Sequence, residues 1–152
     1  MQVELIEVEK EDFANVDCEI LFANVLADRK HVMLSKGEDP KYKFTWQSDL
    51  IKPELTEIAD DVFSIGIDLN FAIVNIETRN VLLNVSLDSF FYYTTTLGDS
   101  IYVIAEVEIM KIDKHSYVII HRYGLPDIFE EMKVVNDRIE VKCFGEQTVY
   151  ID

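Results

Sequence analysis

The segment GDSIYVIAEVEIMKID, residues 98–113, determines how the rest of the sequence is interpreted. It begins with a polar turn at Asp99, continues through alternating apolar residues, turns again and ends in a second apolar run. Alternation with a period of two, in a segment rich in Val, Ile and Tyr, is typical of β-strands. The segment therefore predicts an antiparallel hairpin that begins at Asp99.

The same plan occurs in two other segments, DDVFSIGIDLNFAIVNIE at 60–77 and NDRIEVKCFGEQTVYID at 136–152. Their acidic anchors are Asp61 and Asp137, so successive anchors at 61, 99 and 137 are 38 residues apart. We interpret this spacing as an internal repeat, in which the three anchors occupy equivalent turns. The sequence is therefore predicted to be all-β, with repeated antiparallel hairpins.

A more divergent copy is expected to begin near Asp17. There, CEILFANVLADRKHVMLSK predicts a hairpin, KFTWQSDL predicts the strand after it, and SKGEDPKY at 35–42 is interpreted as an insertion. The first residues, MQVELIEV, predict an unpaired strand. Residues 126–133 are compatible with either a helical turn beginning at Pro126 or another strand.

Each copy accommodates about four short strands, which is the strand count of a β-propeller blade of roughly 40–50 residues. GDSIYVIAEVEIMKID and NDRIEVKCFGEQTVYID resemble the inner hairpins of blades in quinoprotein-like and WD-like families. The resemblance implies a small or partial propeller-like array. The same hairpins folded into a two-sheet β-sandwich are the alternative. In both cases the size of the chain predicts a single domain covering residues 1–152.

The chain is strongly acidic, with 29 acidic and 14 basic side chains and a net charge of −15. At neutral pH, nucleic acid and anionic membranes are therefore expected to be repelled, whereas a basic protein partner would be attracted. The N-terminal residues lack the features of a secretory signal, and no run of about eighteen apolar residues occurs. These observations predict a cytoplasmic protein.

No group of residues predicts catalysis, a cofactor or a metal. The five glycines do not form a phosphate-binding loop, and no serine lies in a nucleophile elbow. We interpret His31, His115 and His121 as structural, and Cys18 and Cys143 as free thiols. We therefore predict a protein that is not an enzyme.

Binding residues are expected among the carboxylates and aromatic residues that the repeat places in turns or on strand faces. One acidic pair lies in the turn before the first repeated hairpin, three more carboxylates lie in the connection before the last one, and two tyrosines belong to SFFYYTTT at 89–96. The predicted partner-binding residues are Asp60, Asp61, Asp127, Glu130, Glu131, Tyr92 and Tyr93.

Two functional hypotheses follow. The first is an acidic, non-enzymatic inhibitor that binds a basic toxin such as a nuclease. In overall character the chain is similar to the immunity partners of bacterial polymorphic and contact-dependent toxins, which implies that carboxylates mask a basic active site. The alternative is a propeller-type scaffold or interaction module whose acidity is incidental. An enzyme of an unrecognised kind is a third hypothesis.

Overall fold

The computed structural model describes residues 2–23 and 30–152. Strands account for 64% of the described residues and helix for 4%, which confirms the all-β prediction. The chain divides into two compact units, Met1–Ser86 and Leu87–Asp152, which we call the N-terminal and C-terminal units. The expectation of a single domain stays a prediction.

The N-terminal unit contains two four-stranded sheets. In the first sheet, β1 (Val3–Val8), β2 (Glu19–Phe22), β3 (Lys30–Lys36) and β4 (Asp39–Trp46) lie in the order β1-β3-β4-β2, and a short helix, α1 (Lys10–Asn15), follows β1. The second sheet is an antiparallel meander of β5 (Glu54–Ala59), β6 (Val62–Ile67), β7 (Asn70–Asn75) and β8 (Asn80–Ser86).

The first sheet departs from the sequence prediction in three respects. β1 is paired with β3, so MQVELIEV is not an unpaired strand. β2 pairs with β4 in parallel, and therefore CEILFANVLADRKHVMLSK is not a hairpin, although residues 24–29 within it lie outside the described part. The supposed insertion at 35–42 contains the tight turn of the β3–β4 hairpin, in which Lys36 is paired with Asp39.

Helix α1 was not predicted from the sequence because six residues are too few to establish a helical period. It is held against the first sheet by Lys43 of β4. The Lys43 ammonium group donates hydrogen bonds to the carbonyl oxygens of Phe13 and Val16, at 2.7 and 2.8 Å. These bonds satisfy a lysine that is otherwise almost fully buried.

The C-terminal unit contains the third and fourth sheets. The third is an antiparallel meander of β9 (Phe91–Leu97), β10 (Ser100–Ala105), β11 (Glu108–Asp113) and β12 (Ile119–Gly124). The fourth has three strands, β13 (Phe129–Val135), β14 (Arg138–Cys143) and β15 (Gln147–Ile151). Residues 126–133 therefore enter a strand, and the helical alternative is wrong because Phe129 is paired with Cys143 and buried.

The 38-residue repeat is present in the strand boundaries. Asp61, Asp99 and Asp137 each directly precede the second strand of their sheet, namely β6, β10 and β14. Each of these strands begins an antiparallel hairpin, as predicted. Asp61 and Asp137 have positive φ angles of 62°, and the glycine before Asp99 has a φ of 60°. Asp and Gly are residue types that tolerate the positive φ found in each of these turns.

The repeat also includes the irregularities of the sheets. Leu82 in β8 and Ile120 in β12 are the extra residues of β-bulges, and they are 38 residues apart. Tyr92 in β9 and Glu130 in β13 are the extra residues of a second pair of bulges with the same separation. A bulge changes the direction of one side chain and ends regular pairing, so its recurrence indicates equivalent local geometry.

Each unit has its own core. In the N-terminal unit the first and second sheets contribute fully buried residues to one cluster, including Phe44 and Ile65. In the C-terminal unit Ile104 of the third sheet packs with Val141 and Cys143 of the fourth. The described strands form four sheets rather than the two of the sandwich alternative, and the second and third have the strand number and order of propeller blades.

Candidate protein-binding surface

Four segments at one end of the C-terminal unit are connected by backbone hydrogen bonds. The Glu106 amide donates to the Phe90 carbonyl at 2.8 Å, and the Phe129 amide donates to the Glu106 carbonyl at 2.8 Å. The Phe144 amide donates to the Ile128 carbonyl at 2.9 Å. We call the segments 87–92, 105–108, 124–130 and 143–147 together the loop surface.

Large apolar side chains are exposed on the loop surface. Phe90 is 52% exposed, Phe144 51%, Tyr92 40% and Val107 37%. The ring of Tyr92 meets that of Phe129 edge-on, with centroids 6.2 Å apart, so Tyr92 is packed against Phe129 and still partly exposed. Neighbouring exposed apolar groups of this size are typical of interaction sites.

The segments of the loop surface are also rich in acidic residues. Its four segments contain no basic residue and six acidic ones, Asp88, Glu106, Glu108, Asp127, Glu130 and Glu146. The negative charges affect the pKa of neighbouring groups. Burial raises the pKa of Tyr92, and the Glu106 carboxylate raises it further. Burial raises the pKa of Cys143 and a hydrogen bond from the Asp127 backbone opposes this, while the charges of Asp127 and Glu130 raise the pKa by smaller amounts. This end of the unit therefore favours a cationic ligand.

Buried polar contacts fix the shape of the loop surface. The Glu108 carboxylate is nearly inaccessible and accepts hydrogen bonds from the Asp88 amide at 3.1 Å and from the Arg122 guanidinium at 3.2 Å. The Ser89 hydroxyl accepts a hydrogen bond from the Val107 amide at 3.0 Å. These contacts tie the loop before β9 to the β10–β11 turn, and a partner would meet a preorganised surface.

The structure brings together four of the sequence-predicted binding residues. Tyr92 and Tyr93 both approach the Phe129 ring, Tyr93 at a centroid distance of 5.9 Å. Asp127 and Glu130 flank Phe129 along the chain. Tyr93 is half-buried and its pKa is raised by burial, so Tyr92 is the more accessible of the two tyrosines.

The other three predicted residues lie elsewhere. Glu131 is exposed on β13, where it is the strand-pairing partner of Lys142. Asp60 and Asp61 are exposed in the β5–β6 turn of the N-terminal unit. Asp61 also lines a cavity of about 340 Å³ together with Lys36. The five carboxylates that were predicted together as binding residues therefore lie in separate local environments.

Phe90, Val107 and Phe144 were not predicted as binding residues. Val107 lies in the turn between the second and third strands of its sheet, and Leu69, 38 residues earlier, is exposed in the equivalent turn of the N-terminal unit. Phe144 occupies the corresponding turn of the fourth sheet. An apolar residue in each of three equivalent turns is the signal that could have identified them.

The side chains that could support catalysis have structural contacts. The His31 ring lies edge-on to that of Phe13, and the His121 ring is tilted against that of Tyr123, with centroids 4.3 Å apart. His115 Nε2 lies 3.2 Å from Asp99 Oδ1 in an exposed turn. Within residues 2–23 and 30–152, no group of three or more His, Cys, Asp or Glu residues could hold a metal ion.

Two further properties concern the same described residues. The thiols of Cys18 and Cys143 are both free, with Cys143 buried and Cys18 partly so. None of the described helices has the length and apolar character needed to cross a membrane. The predicted cytoplasmic location is not tested by either observation and stays a prediction.

No protein-family model matches the sequence, and no curated protein matches it significantly. Among solved structures the chain is similar to BamB from Moraxella catarrhalis, with 17% identity and a TM-score of 0.47 over 80% of this chain and 37% of that one. It is similar to BBS1N, solved in complex with ARL6DN, with 13% identity and a TM-score of 0.44 over 81% and 46% of the two chains. The chain thus spans less than half of either of these structures.

The computationally designed protein Ika4 is 12% identical, with a TM-score of 0.49, and the match covers 90% of this chain and 92% of Ika4. The blade-like strand order of the second and third sheets follows from the strand pairing of this chain alone. The similarity to immunity proteins has no support in these comparisons and stays a prediction.

Proposed function

We propose that this chain is a non-enzymatic protein-binding module that uses the loop surface to bind a basic segment of its partner. One observation carries the proposal. Phe90, Val107 and Phe144 are exposed in hydrogen-bonded segments that contain no basic residue and, besides the buried Glu108, five acidic ones. Such a surface supplies apolar anchors and negative charge in the same place.

The two properties have different roles in binding. Burial of apolar area stabilises the complex by about 25 cal/mol per Å², which makes the two phenylalanines its main source of affinity. The carboxylates attract a basic partner over a distance of about 8 Å at physiological ionic strength and raise the association rate. The partner therefore combines arginine or lysine with at least one apolar side chain.

The inhibitor hypothesis is a narrower form of this proposal, in which the basic partner is a toxin such as a nuclease. The scaffold hypothesis is the broader form, in which the partner is a subunit of an assembly. Both require the loop surface to bind protein. Only the identity of the partner separates them.

The proposal is tested by affinity capture with matched variants, followed by direct binding. The wild-type chain, a Phe90→Ser/Phe144→Ser variant and an Ile120→Ser/Val134→Ser control would each be immobilised and exposed to an extract of the host. Ile120 and Val134 are similarly exposed but lie outside the loop surface. Each recovered protein would then be purified and titrated against all three chains.

We expect at least one basic protein that binds the wild type and the control equally and the loop variant at least tenfold more weakly. All three chains should have the same circular dichroism spectrum and unfolding midpoint. Equal binding of the loop variant and the control to every recovered partner would contradict the proposal. A catalytic turnover by the wild-type chain that the loop variant retains would contradict it as well.

A further inference from the structure

The connection from β4 to β5 is longer than its two equivalents along the chain. It contains seven residues, 47–53, whereas the connections from β8 to β9 and from β12 to β13 contain four each. Each of the three connections leads from one sheet to the first strand of the next. Four residues are enough at two of these junctions, so the additional residues of 47–53 are available for another role.

The longer connection also differs from the shorter ones in where its apolar residues lie. Leu50 is 96% exposed, the highest value among the large apolar side chains of residues 2–23 and 30–152, and the adjacent Ile51 is 52% exposed. In the shorter connections, Leu87 is buried and Leu125 packs against the core cluster of the C-terminal unit. Two adjacent aliphatic side chains held in solvent are more typical of a contact site than of a spacer.

Hydrogen bonds hold this connection in a defined shape. The Gln47 amide donates to the Asp68 carboxylate at 2.9 Å, which ties the start of the connection to the β6–β7 turn. The Ser48 hydroxyl accepts a hydrogen bond from the Ile51 amide at 3.2 Å, which closes a turn around Leu50. Leu50 is therefore presented at the tip of a fixed turn, and binding a partner would require little further ordering of the chain.

The charges of this connection are balanced, unlike those of the loop surface. Asp49 and Lys52 lie on either side of the two apolar residues and have opposite sign. Leu69, in the β6–β7 turn to which the connection is bonded, is a third exposed apolar residue. An apolar pocket with a polar rim that carries both signs of charge complements this arrangement.

We propose that the β4–β5 connection is a second protein-binding site, at which Leu50 and Ile51 insert into an apolar pocket of a partner protein. The rim of that pocket would carry a basic group opposite Asp49 and an acidic group opposite Lys52. This inference goes beyond the loop surface because the site belongs to the N-terminal unit and selects its partner by apolar shape rather than by basic charge.

A membrane and a second copy of this chain are less suitable occupants than a partner protein. The side chains of Leu50 and Ile51 together supply only about eight carbon atoms, fewer than a myristoyl chain, which binds membranes only marginally by itself. The net charge of −15 also disfavours an anionic membrane and a second copy of the chain. An enclosed protein pocket buries both side chains without either penalty.

The partner is first identified by photo-crosslinking in cells of the host. The photoreactive amino acid p-benzoylphenylalanine replaces Leu50 in one chain and Val134, which is also exposed but lies in the C-terminal unit, in a control chain. We expect a protein that is crosslinked from position 50 and not from position 134. That protein would then be purified and titrated against the wild-type chain and its variants.

Direct binding then tests the two apolar side chains. Leu50→Ser/Ile51→Ser should weaken binding of the purified protein at least tenfold, whereas the Ile120→Ser/Val134→Ser control should bind within twofold of wild type. The cyclised peptide Gln-Ser-Asp-Leu-Ile-Lys-Pro should compete for the same protein. The unfolding midpoint of Leu50→Ser/Ile51→Ser should equal that of wild type, since neither side chain is buried, and a purely structural role would lower it.

The inference is overturned if no protein is crosslinked specifically from position 50, or if the purified protein binds Leu50→Ser/Ile51→Ser as tightly as wild type. A crosslink to another part of the same chain or to a second copy would overturn it too. So would binding to phosphatidylcholine vesicles that this variant loses. The Phe90→Ser/Phe144→Ser variant should bind the protein within twofold of wild type, so failure of the loop surface and failure of this site are distinguishable.

Discussion

Tyr92 and Glu130 occupy the same position in two successive sheets, each as the extra residue of a β-bulge in the first strand. The residue before each of them, Phe91 or Phe129, is buried, whereas the bulged residue is exposed. The bulge therefore allows one side chain to stay in the core while its neighbour faces solvent. The repeat presents an aromatic ring at one of these positions and a carboxylate at the other.

The two members of each bulge should differ in their contribution to stability. Phe129→Ala and Phe91→Ala should each lower the free energy of unfolding by about 3 kcal/mol or more, because both create cavities in the core. Tyr92→Ser and Glu130→Gln should change it by about 0.5 kcal/mol or less. Urea unfolding followed by circular dichroism measures all four, and equal losses within a pair would contradict the assignment of the bulges.

The buried Glu108 should be required for the stability of the loop surface. Glu108→Leu removes the acceptor for the Asp88 amide and the Arg122 guanidinium, and should cost roughly 2–3 kcal/mol of unfolding free energy. Glu108→Gln retains an acceptor and should cost less. As a control, Glu140→Gln alters the long, partly exposed pair with Lys133, at 3.7 Å, and should cost about 0.5 kcal/mol or less. A Glu108→Leu protein as stable as wild type would show that the loop is held by other contacts.

Tyr42 should make the protein sensitive to alkaline pH. Burial raises the pKa of Tyr42 to about 12, and its hydroxyl has no hydrogen-bond partner among the described residues. The pKa of an unfolded tyrosine is about 10. The stabilisation by neutral Tyr42 is therefore fully present below pH 10 and is lost as the pH rises towards 12.

Tyr42→Phe should remove that part of the pH dependence. The variant should also gain about 1 kcal/mol at neutral pH, because a buried hydroxyl without a partner is eliminated. Denaturant unfolding between pH 8 and pH 11.5 measures both effects. A variant whose stability falls with pH as steeply as that of wild type would contradict the prediction.

The carboxylates predicted from the sequence should act mainly on the association rate. Replacing Asp127, Glu130 and Glu131 by their amides should slow association with a basic partner at low salt, and high salt should slow wild type to the same rate. The Asp60→Asn/Asp61→Asn variant, which loses two charges in the N-terminal unit, serves as the comparison. The association rate is measured by stopped flow. If it changes neither with salt nor with the three substitutions, recognition depends on the aromatic residues and not on these carboxylates.

The sequence by itself determined the strand class, the repeat length and the positions of the polar turns. Alternation with a period of two is a local property, and residues such as Asp61 and Asp137 are required where the chain adopts a positive φ. The strand starts at Val62, Ser100 and Arg138 could therefore be predicted from the spacing alone.

The tertiary structure decided which strands are neighbours and which side chains are exposed. The parallel pairing of β2 with β4 joins segments separated by β3, and it leaves no local pattern in the sequence. The exposure of Tyr92 depends on a bulge, and the collection of Phe90, Val107 and Phe144 on one surface depends on hydrogen bonds between distant turns. Local periodicity specifies the face of a strand, whereas the partner of that strand is fixed only by long-range burial and main-chain pairing.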